Sequence, residues 1–465
     1  MSLAETGVVT LYYLVLSVLA VYSIHRLHLV RLRRRTPPPA RLTADVFPPL
    51  TVQLPLYNEA NVARRLIEAV AQLEYPGRLE IQVLDDSTDE TTSIVADTIR
   101  RSGISISHVR RSSRDGFKAG ALAHGMRLSD SELFAVFDAD FVPPRDVLRR
   151  MVPYFADERV GMVQARWTHL NRDESLLTRV QALFLDAHFA VESAARNFGG
   201  RFFNFNGTAG VWRRPAIEQA GGWSSSTLTE DLDLSYRAQL AGWDFVFLND
   251  VEVPAELPAA LRGFQDQQHR WAKGSIQTAR KLLGSIVGSR LEPRVKSEAI
   301  FHLTNNSAYL LTVLLALLIV PALLARYRHG LQWMFFIDVP LFLASTGSVL
   351  LFYREGQRWA GRGSPPLHEL LAVLPVGVGM SMRNAVAVLE GLVHEGGHFQ
   401  RTPKTGDGTR RASDVSRRMP LAELALAMFF AGTVAAFGIS GHWAALPFLG
   451  MFLSGYSYVV VKSVT

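Results

Sequence analysis

The sequence of 465 residues contains no cysteine. This absence excludes disulfide bonds, zinc sites built on thiolates and a cysteine nucleophile. The chain also lacks a G-x-x-x-x-G-K-S/T phosphate loop, and no G-x-G-x-x-G follows a strand-like run. A phosphate-bearing ligand would therefore have to be bound without either of these loops.

Long apolar runs, by contrast, are frequent, and the net charge of +7 comes from clustered basic residues. The first apolar run is followed at once by Arg26 and then by the arginines of residues 31–35. A cleaved signal peptide carries its positive charges before the apolar core, so we expect a membrane anchor instead. Runs of about 20 apolar residues are long enough to cross a bilayer as helices. Five are expected to cross: Val8–Ile24, Leu303–Leu324, Leu331–Phe352, Leu421–Ile439 and Trp443–Val461.

A further apolar segment, His368–Leu392, carries Arg383 and Asn384 at its centre. An arginine in the middle of a lipid-facing helix costs about 2.5–3.5 kcal/mol on insertion scales. If this segment crossed, the basic loop after it would also fall on the side opposite the other basic clusters, against the positive-inside rule. We therefore expect an interfacial helix here. We therefore expect a protein of the cell (inner) membrane, with the chain between its first two spans in the cytoplasm.

The middle of the chain, from Thr51 to about Gly274, has no long apolar run and alternates strand and helix patterns. Strands are expected at Leu50–Leu54, Leu79–Leu84, Ile104–Val109, Leu133–Phe137 and Val160–Ala165, with helices over residues 62–73 and Phe117–Met126. This alternation predicts a mainly parallel sheet with flanking helices. Ligands bind beyond the carboxyl ends of the strands in such sheets.

Polar and acidic residues follow three of these strands, where ligands are expected. They are Tyr57, Asn58 and Glu59, then Asp85 and Asp86, then Asp138 and Asp140. A helix N-cap needs only one such residue. Adjacent uncompensated carboxylates repel one another, so a cation or a donor-rich ligand is indicated. Two carboxylates at D-x-D spacing suit Mg²⁺ or Mn²⁺, which keep coordination positions open for phosphate oxygens.

Four motifs follow one another in order: Asp85-Asp86, Asp138-Ala-Asp140, Thr229-Glu230-Asp231 and Gln267-Gln-His-Arg270-Trp271. Together they resemble the D…DxD…TED…QxxRW series of processive family 2 glycosyltransferases, which include cellulose, chitin and hyaluronan synthases. Longer strings around Asp85, Gly207 and Arg270 look most like plant cellulose synthase-like A and C proteins. The resemblance implies an α/β GT-A glycosyltransferase domain inserted into an α-helical bundle of about five membrane spans with interfacial helices.

The resemblance also implies a role for each matching residue. The residues implied to hold the donor nucleotide are Tyr57, Asn58, Glu59, Asp85, Asp86, Lys118, Asp138 and Arg270, and those implied to hold the metal are Asp138 and Asp140. The implied catalytic residues are Asp231 and Glu230. The residues implied to contact the acceptor are Gln267, Trp271, Asn206, Gly207 and Thr208. Bacterial cellulose synthases carry Cys-Gly-Ser at the last three positions, so the acceptor end is not theirs in detail, which argues against cellulose as the product. Two plainer readings remain: Asp231 as a helix-opening acid and Arg270-Trp271 as a membrane anchor.

The chemistry of transfer supports these roles. Inverting transfer from a nucleotide sugar needs a carboxylate that takes the proton of the acceptor hydroxyl opposite the departing diphosphate. The resemblance implies transfer of a hexose from UDP-glucose or GDP-mannose to a growing β-linked glucan or mannan, which then crosses the membrane. An alternative acceptor is a lipid such as diacylglycerol or ceramide. Membrane lipids are expected partners, and nucleic acid is not.

The segment from His394 to His398 also spells H-E-x-x-H, a zinc-protease motif on helices. Gly396 and Gly397 disfavour that helix, which weakens the protease reading. The next residues, Phe399-Gln-Arg401-Thr402-Pro-Lys404, resemble the F-x-V-T-x-K gating loop of processive synthases. The resemblance implies a lid over bound donor, hinged at the glycines; a plain connector is the alternative.

These patterns predict the following organisation along the chain. Residues 1–28 form a membrane helix, 29–49 a basic linker, 50–275 the GT-A domain, 276–302 an amphipathic interfacial region, 303–353 two membrane helices, 354–394 the interfacial helix, 395–418 the gating loop and 419–465 two further membrane helices.

Overall fold

The computed structural model describes residues 1–397, Lys404, Gly406 and residues 419–464. Its sheet is built from seven strands, and their order from one edge to the other is β3-β2-β1-β4-β6-β5-β7. The strands are β1 Leu50–Leu56, β2 Leu79–Asp85, β3 Ser107–Val109, β4 Leu133–Val136, β5 Val160–His169, β6 Gly210–Arg213 and β7 Asp244–Ala255.

The sheet is mixed but mainly parallel, as predicted. β1 pairs in parallel with β2 and β4, β2 with β3, and β5 with β7. β6 lies antiparallel between β4 and β5. The two strands that were not predicted, β6 and β7, lack a clear pattern. β6 has only four residues, and the turn-like Asn249-Asp250 interrupts β7 where its pairing with β5 shifts register.

Helices cover both faces of the sheet and exclude water from two apolar cores. One core contains Leu54 and Phe137, and the other contains Trp212 and Phe247, all fully buried. The helices of this part of the chain are α2 Ala63–Val70, α3 Thr91–Ser102, α4 Phe117–Arg127, α5 Val147–Met151, α6 Leu176–Ala187, α7 Ala194–Phe198, α8 Arg214–Gln219 and α9 Glu230–Leu240. A π-helical turn, His188–Ser193, joins α6 to α7.

The remaining helices precede and follow this α/β domain. They are α1 Leu3–Arg35, α10 Leu261–Gly288, α11 Pro293–Thr304, α12 Ser307–Arg328, α13 Phe335–Phe342, α14 Ser348–Trp359, α15 Leu367–Val393, α16 Leu421–Ile439 and α17 Leu446–Val464. Within the described residues, six helices are long and apolar enough to cross a membrane: α1, α12, the segment Gln332–Trp359, α15, α16 and the segment Trp443–Val464.

The sixth candidate, α15, is one more than the five spans predicted, and it coincides with the expected interfacial helix. The prediction assumed that Arg383 and Asn384 would face lipid, and this assumption is wrong. Asn384 is fully buried, and Arg383 forms an ion pair with Asp266 of α10. Because α15 packs against α10, α12 and α17, its polar residues point into protein and do not oppose a membrane crossing.

Helix α10 ties the sheet to the membrane helices. It continues through residues 275 and 276, where the sequence analysis placed a domain boundary. A Cβ atom at Gly274 would lie 2.5–2.8 Å from atoms of Thr229, so α10 rests directly against the start of α9. This close approach brings the QxxRW residues over the carboxyl edge of the sheet.

Candidate active site

Two adjacent cavities share a wall at the carboxyl edge of the sheet. The smaller has a volume of about 160 Å³ and lies over the ends of β1, β2 and β4. The larger, about 440 Å³, extends from there between the helices of the membrane bundle. Six residues line both: Trp167, Asn206, Thr229, Asp231, Gln267 and Trp271. Their shared wall is called the junction below.

Most of the residues singled out from the sequence line the smaller cavity. They are Tyr57, Glu59, Asp86, Lys118, Asp138, Asp140, Asn206, Gly207, Glu230, Asp231, Gln267, Arg270, Trp271 and Lys404. They converge because parallel strands end at one edge of the sheet. β6 runs antiparallel to β4, so the residues before β6 reach the same edge.

Three of the predicted contact residues do not line either cavity, and each supports the site from behind. Thr208 is fully buried, and its hydroxyl accepts a hydrogen bond from the backbone N–H of Asp138 at 2.8 Å. Asn58 joins the loop after β1 to the loop after β2 by accepting from the backbone N–H of Thr88. Asp85 is buried and hydrogen-bonded to His108 and to the backbone N–H of Ser87.

The ionisation of Asp85 follows from these bonds. Burial alone would raise the pKa of this carboxyl. The hydrogen bonds from His108 and Ser87 outweigh burial and lower the pKa to about 2. Asp85 therefore stays charged and holds the loop that presents Asp86 to the cavity.

Lys118 at the start of α4 connects three parts of the site. Its ammonium group donates to Oδ1 of Asp138 at 2.5 Å and to the carbonyl oxygen of Gly207 at 2.8 Å. Burial would lower the pKa of Lys118, but the carboxylates of Asp138 and Glu230 outweigh it and raise the pKa. A lysine held charged in this way fixes the distance between the D-x-D loop and the loop before β6.

Asp231 occupies the first turn of α9, at the junction of the two cavities. Burial, followed by the charge of Glu230, raises the pKa of Asp231 to about 7. One carboxylate oxygen accepts from the backbone N–H of Leu232 at 2.8 Å. A Cβ atom at Gly207 would lie 3.0 Å from the other oxygen, so only glycine lets the two segments approach this closely. A carboxylate with this pKa can accept a proton near neutral pH.

Asp138 and Asp140 fit a hard divalent cation. Both offer carboxylate oxygens to one wall of the smaller cavity, the ligand type that Mg²⁺ and Mn²⁺ prefer. Both already attract positive charge, since Lys404 lies 2.7 Å from Asp140 and Lys118 contacts Asp138. Within the described residues, no three His, Asp or Glu side chains form a complete metal site. The remaining ligands would therefore be phosphate oxygens or water.

Lys404 is the one residue of the predicted gating loop that the structure describes and places at the site. Its ammonium also donates to the carbonyl oxygen of Glu256 at 2.5 Å. The Glu256 carboxylate accepts from the backbone N–H of Gly406 at 3.1 Å and pairs with Arg65 at 2.8 Å. The other predicted loop residues, Phe399, Arg401 and Thr402, lie outside the described residues.

The described part of the H-E-x-x-H motif, residues 394–397, is not helical. α15 ends at Val393, and His394 is extended, with φ −107° and ψ 145°. Gly396 and Gly397 follow with φ values of +59° and +149°, far from helical geometry. A zinc motif that needs two histidines on one helical face is therefore not formed here.

Two arginines at the site were missed from the sequence. Arg111 forms an ion pair with Asp86, and the guanidinium of Arg114 lies 3.3 Å from the ring centroid of Tyr57. Both belong to a basic run between β3 and α4, shortly before Lys118. Because Lys118 was predicted to line the donor site, the cluster of arginines shortly before it could have pointed to these two residues.

Backbone strain is concentrated around the same edge. Asn58, Phe117 and Ala209 have positive φ values of 56°, 50° and 54°. Each lies next to a residue that lines the smaller cavity or directly supports it. Strained backbone of this kind clusters at functional sites, where the surrounding structure holds it in place.

Comparison with known proteins identifies the domain. Residues 48–274 match the family model described as glycosyltransferase like family 2. This region is a family 2 glycosyltransferase domain. The match runs from just before β1 to Gly274, so all four motifs and the whole sheet fall within it.

Two similar curated proteins come from plants. Glucomannan 4-beta-mannosyltransferase 1 of Oryza sativa subsp. japonica is 42% identical over 294 residues, which cover 60% of this chain and 56% of that protein. Glucomannan 4-beta-mannosyltransferase 2 of Arabidopsis thaliana is 45% identical over 258 residues, 54% of this chain and 48% of that protein. The chain thus spans about half the length of the curated relatives it matches.

A solved structure shares the fold. The mannosyltransferase PcManGT from Pyrobaculum calidifontis, in complex with GDP-Man and Mn²⁺, superposes with a TM-score of 0.56 at 21% identity. The superposition covers 83% of this chain and 99% of PcManGT. It therefore includes part of the membrane helices as well as the family 2 domain and confirms the GT-A fold that the motifs implied.

Proposed function

We propose that this protein is an inverting hexosyltransferase that adds mannose from GDP-mannose to a growing β-1,4-linked glycan. The observation that carries this proposal is the position of Asp231 on the wall between the two cavities. The smaller cavity has the charges of a nucleotide-diphosphate site, and the larger has room for an acceptor. The names of the plant relatives and the GDP-Man of PcManGT support mannose as the sugar.

In this proposal Asp231 takes the proton from the acceptor hydroxyl as that oxygen attacks the anomeric carbon. The bond from that carbon to the diphosphate breaks on the opposite face, which inverts the configuration and gives a β-linkage. Arg270 and Lys118 both line the smaller cavity and would balance the charge of the departing diphosphate. Asp138 and Asp140 would hold Mg²⁺ or Mn²⁺, which when bound supplies further neutralisation of that charge.

The larger cavity is proposed as the path of the product. Its lining includes several aromatic side chains: Trp271 at the junction, and Tyr309, Tyr353, Phe342 and Phe448 on the helices of the membrane bundle. Aromatic faces suit the apolar faces of sugar rings, whereas the hydroxyl groups keep contact with the polar lining. Because the arginines that end α1 favour the cytoplasmic side, we propose that the family 2 domain is cytoplasmic and that product moves outward.

The proposal is tested with purified full-length protein in liposomes containing Mg²⁺ or Mn²⁺. GDP-mannose, UDP-glucose and GDP-glucose are supplied in turn, and nucleotide release and product size are measured. We expect nucleotide release with GDP-mannose and products of many sugar units. Product that consists only of a lipid with one sugar would instead establish the lipid-glycosyltransferase alternative and refute the polymer path.

A further inference from the structure

His188 occupies an unusual position between the catalytic domain and the larger cavity. It opens the π-helical turn His188–Ser193, which inserts extra backbone between α6 and α7. Such turns are rare and are frequently found at functional sites, because they redirect side chains that a regular helix would present elsewhere. Here the redirected ring lines the larger cavity, and its Nε2 atom lies 2.8 Å from Oδ1 of Asn206 at the junction.

The amide of Asn206 is held in one orientation by its neighbour. Its Oδ1 accepts from Nδ2 of Asn204 at 3.2 Å, and its own Nδ2 donates to the carbonyl oxygen of Asn204 at 3.2 Å. If this amide were rotated by 180°, its NH₂ group would face the NH₂ group of Asn204, and its oxygen would face the carbonyl oxygen of Asn204. Oδ1 therefore faces His188, and the Nε2 atom of His188 must carry the hydrogen.

The other ring nitrogen of His188 is held in turn by Glu192. Its Nδ1 atom lies 3.1 Å from Oε2 of that carboxylate. Burial would raise the pKa of Glu192, but the charge of Arg196 and the bond to His188 outweigh it and keep the carboxylate ionised. Each ring nitrogen of His188 therefore has a partner, Glu192 for Nδ1 and Asn206 for Nε2. The ring is thereby locked between Glu192 and Asn206.

Among the described residues, these hydrogen bonds leave one N–H of the Asn206 amide available to a ligand. Both lone pairs of Oδ1 are engaged, and one hydrogen of Nδ2 is bound to Asn204. The second Nδ2 hydrogen has no partner among the described residues of the chain and belongs to a side chain that lines both cavities. A Cβ atom added at the next residue, Gly207, would lie 3.0 Å from the carboxylate of Asp231, which accepts the proton in the proposed reaction.

We propose that His188 is a positioning residue for the acceptor: its Nε2–H fixes the Asn206 amide, which donates to a hydroxyl oxygen of the acceptor's terminal sugar beside Asp231. This inference rests on the proposed function for the class of acceptor. It assigns His188 and Glu192 to acceptor binding and predicts no part for them in donor binding, because neither lines the smaller cavity.

A matched pair of substitutions separates the two ring nitrogens. His188→Gln places an amide N–H near the Nε2 position and keeps the bond to Asn206, whereas His188→Asn reaches only the Nδ1 position and keeps the bond to Glu192. Both replace the ring with a neutral amide. The readout is the affinity of the full-length protein in detergent for β-1,4-linked mannotetraose without donor, with GDP-mannose affinity measured in parallel.

We expect His188→Asn to weaken mannotetraose binding about tenfold, the loss of one hydrogen bond, and His188→Gln to bind close to wild type. Neither should change GDP-mannose affinity. In an Asn206→Ala background, His188→Asn should have no further effect. Equal affinity of the two His188 variants, or a further loss in that background, would overturn the inference.

These outcomes are distinguishable from failure of the proposed function. Binding is measured without turnover, so the inference is tested even if no sugar is transferred. Absence of transfer from every donor, with the predicted difference in mannotetraose binding intact, would refute the proposed transfer reaction and leave the role of His188 standing. Absence of mannotetraose binding by wild-type protein would overturn the inference.

Discussion

At the scale of single residues, the proposed transfer depends on the ionisation of Asp231. Its pKa is raised to about 7 by burial and by Glu230, so the carboxyl is protonated and inactive as a base below that value. We expect the rate of transfer at low substrate concentration to rise with pH through about 7 and then level off. Initial rates across the neutral range test this. A rate that is flat or falls over that range would show that Asp231 is not the proton acceptor.

The approach of Gly207 to Asp231 gives a second residue-scale prediction. Gly207→Ala should reduce turnover strongly, because φ is +82° and the new Cβ would lie 3.0 Å from the Asp231 carboxylate. Gly222→Ala is the matched control: its φ is +77°, but nothing lies within 4 Å of the added atom. Both variants pay the same backbone strain, about 1–2 kcal/mol. Equal activity of the two would contradict the proposed crowding at the base.

Most site residues were predictable because their motifs directly follow strands or open a helix. Asp86, Asp138 and Asp140 illustrate this, since chain direction alone sends them to one edge of the sheet. The motif alone could not reveal that the hydroxyl of Thr208 accepts a hydrogen bond from the backbone N–H of Asp138, because that contact depends on how the two loops pack. His188 gave no signal at all, since its partner Asn206 meets it only through the π-helical turn.

At the scale of elements, the contact between α10 and α9 sets the geometry of the site. Gly274→Ala should lower turnover, because its Cβ would lie 2.5–2.8 Å from atoms of Thr229 and would push the helix away. Overpacking of this kind costs about 1–3 kcal/mol. Gly284→Ala on the same helix is the control, since nothing lies within 4 Å of its Cβ.

Turnover and the midpoint of thermal unfolding are measured for Gly274→Ala and Gly284→Ala. Both gain the same helix propensity, about 1 kcal/mol, so their difference reports the contact alone. We expect Gly284→Ala to be at least as stable and as active as wild type. Full activity of Gly274→Ala would mean that the close packing of α10 on α9 does not position Arg270 and Trp271.

The elements themselves were predicted unevenly. The apolar strands β1, β2 and β4 and the helix α4 followed from periodicity and lie where expected within a few residues. β7 was missed because polar residues interrupt it, and tertiary pairing with β5 overrides that local pattern. The misjudged environment of α15 has a similar cause: the partner of Arg383, Asp266, is 117 residues away in sequence.

At the scale of the whole molecule, the larger cavity predicts where product travels. Gly377 lines this cavity and has nothing within 4 Å of its Cβ position, so Gly377→Leu projects a side chain into the proposed path. We expect shorter products while the first transfers continue. Gly432→Leu is the control, because Gly432 also has free space, is exposed and does not line the cavity. Product lengths that match between the two variants would place the path elsewhere.

The central claim is that Asp231 accepts the proton of the acceptor hydroxyl during transfer from a bound nucleotide sugar. The most direct test compares wild type with Asp231→Asn in liposomes, measuring GDP release from GDP-mannose and donor affinity on the same samples. We expect unchanged donor affinity and a loss of GDP release of about 10²–10⁴-fold, because the variant keeps the donor site but lacks the base. Release by Asp231→Asn at the wild-type rate would contradict it.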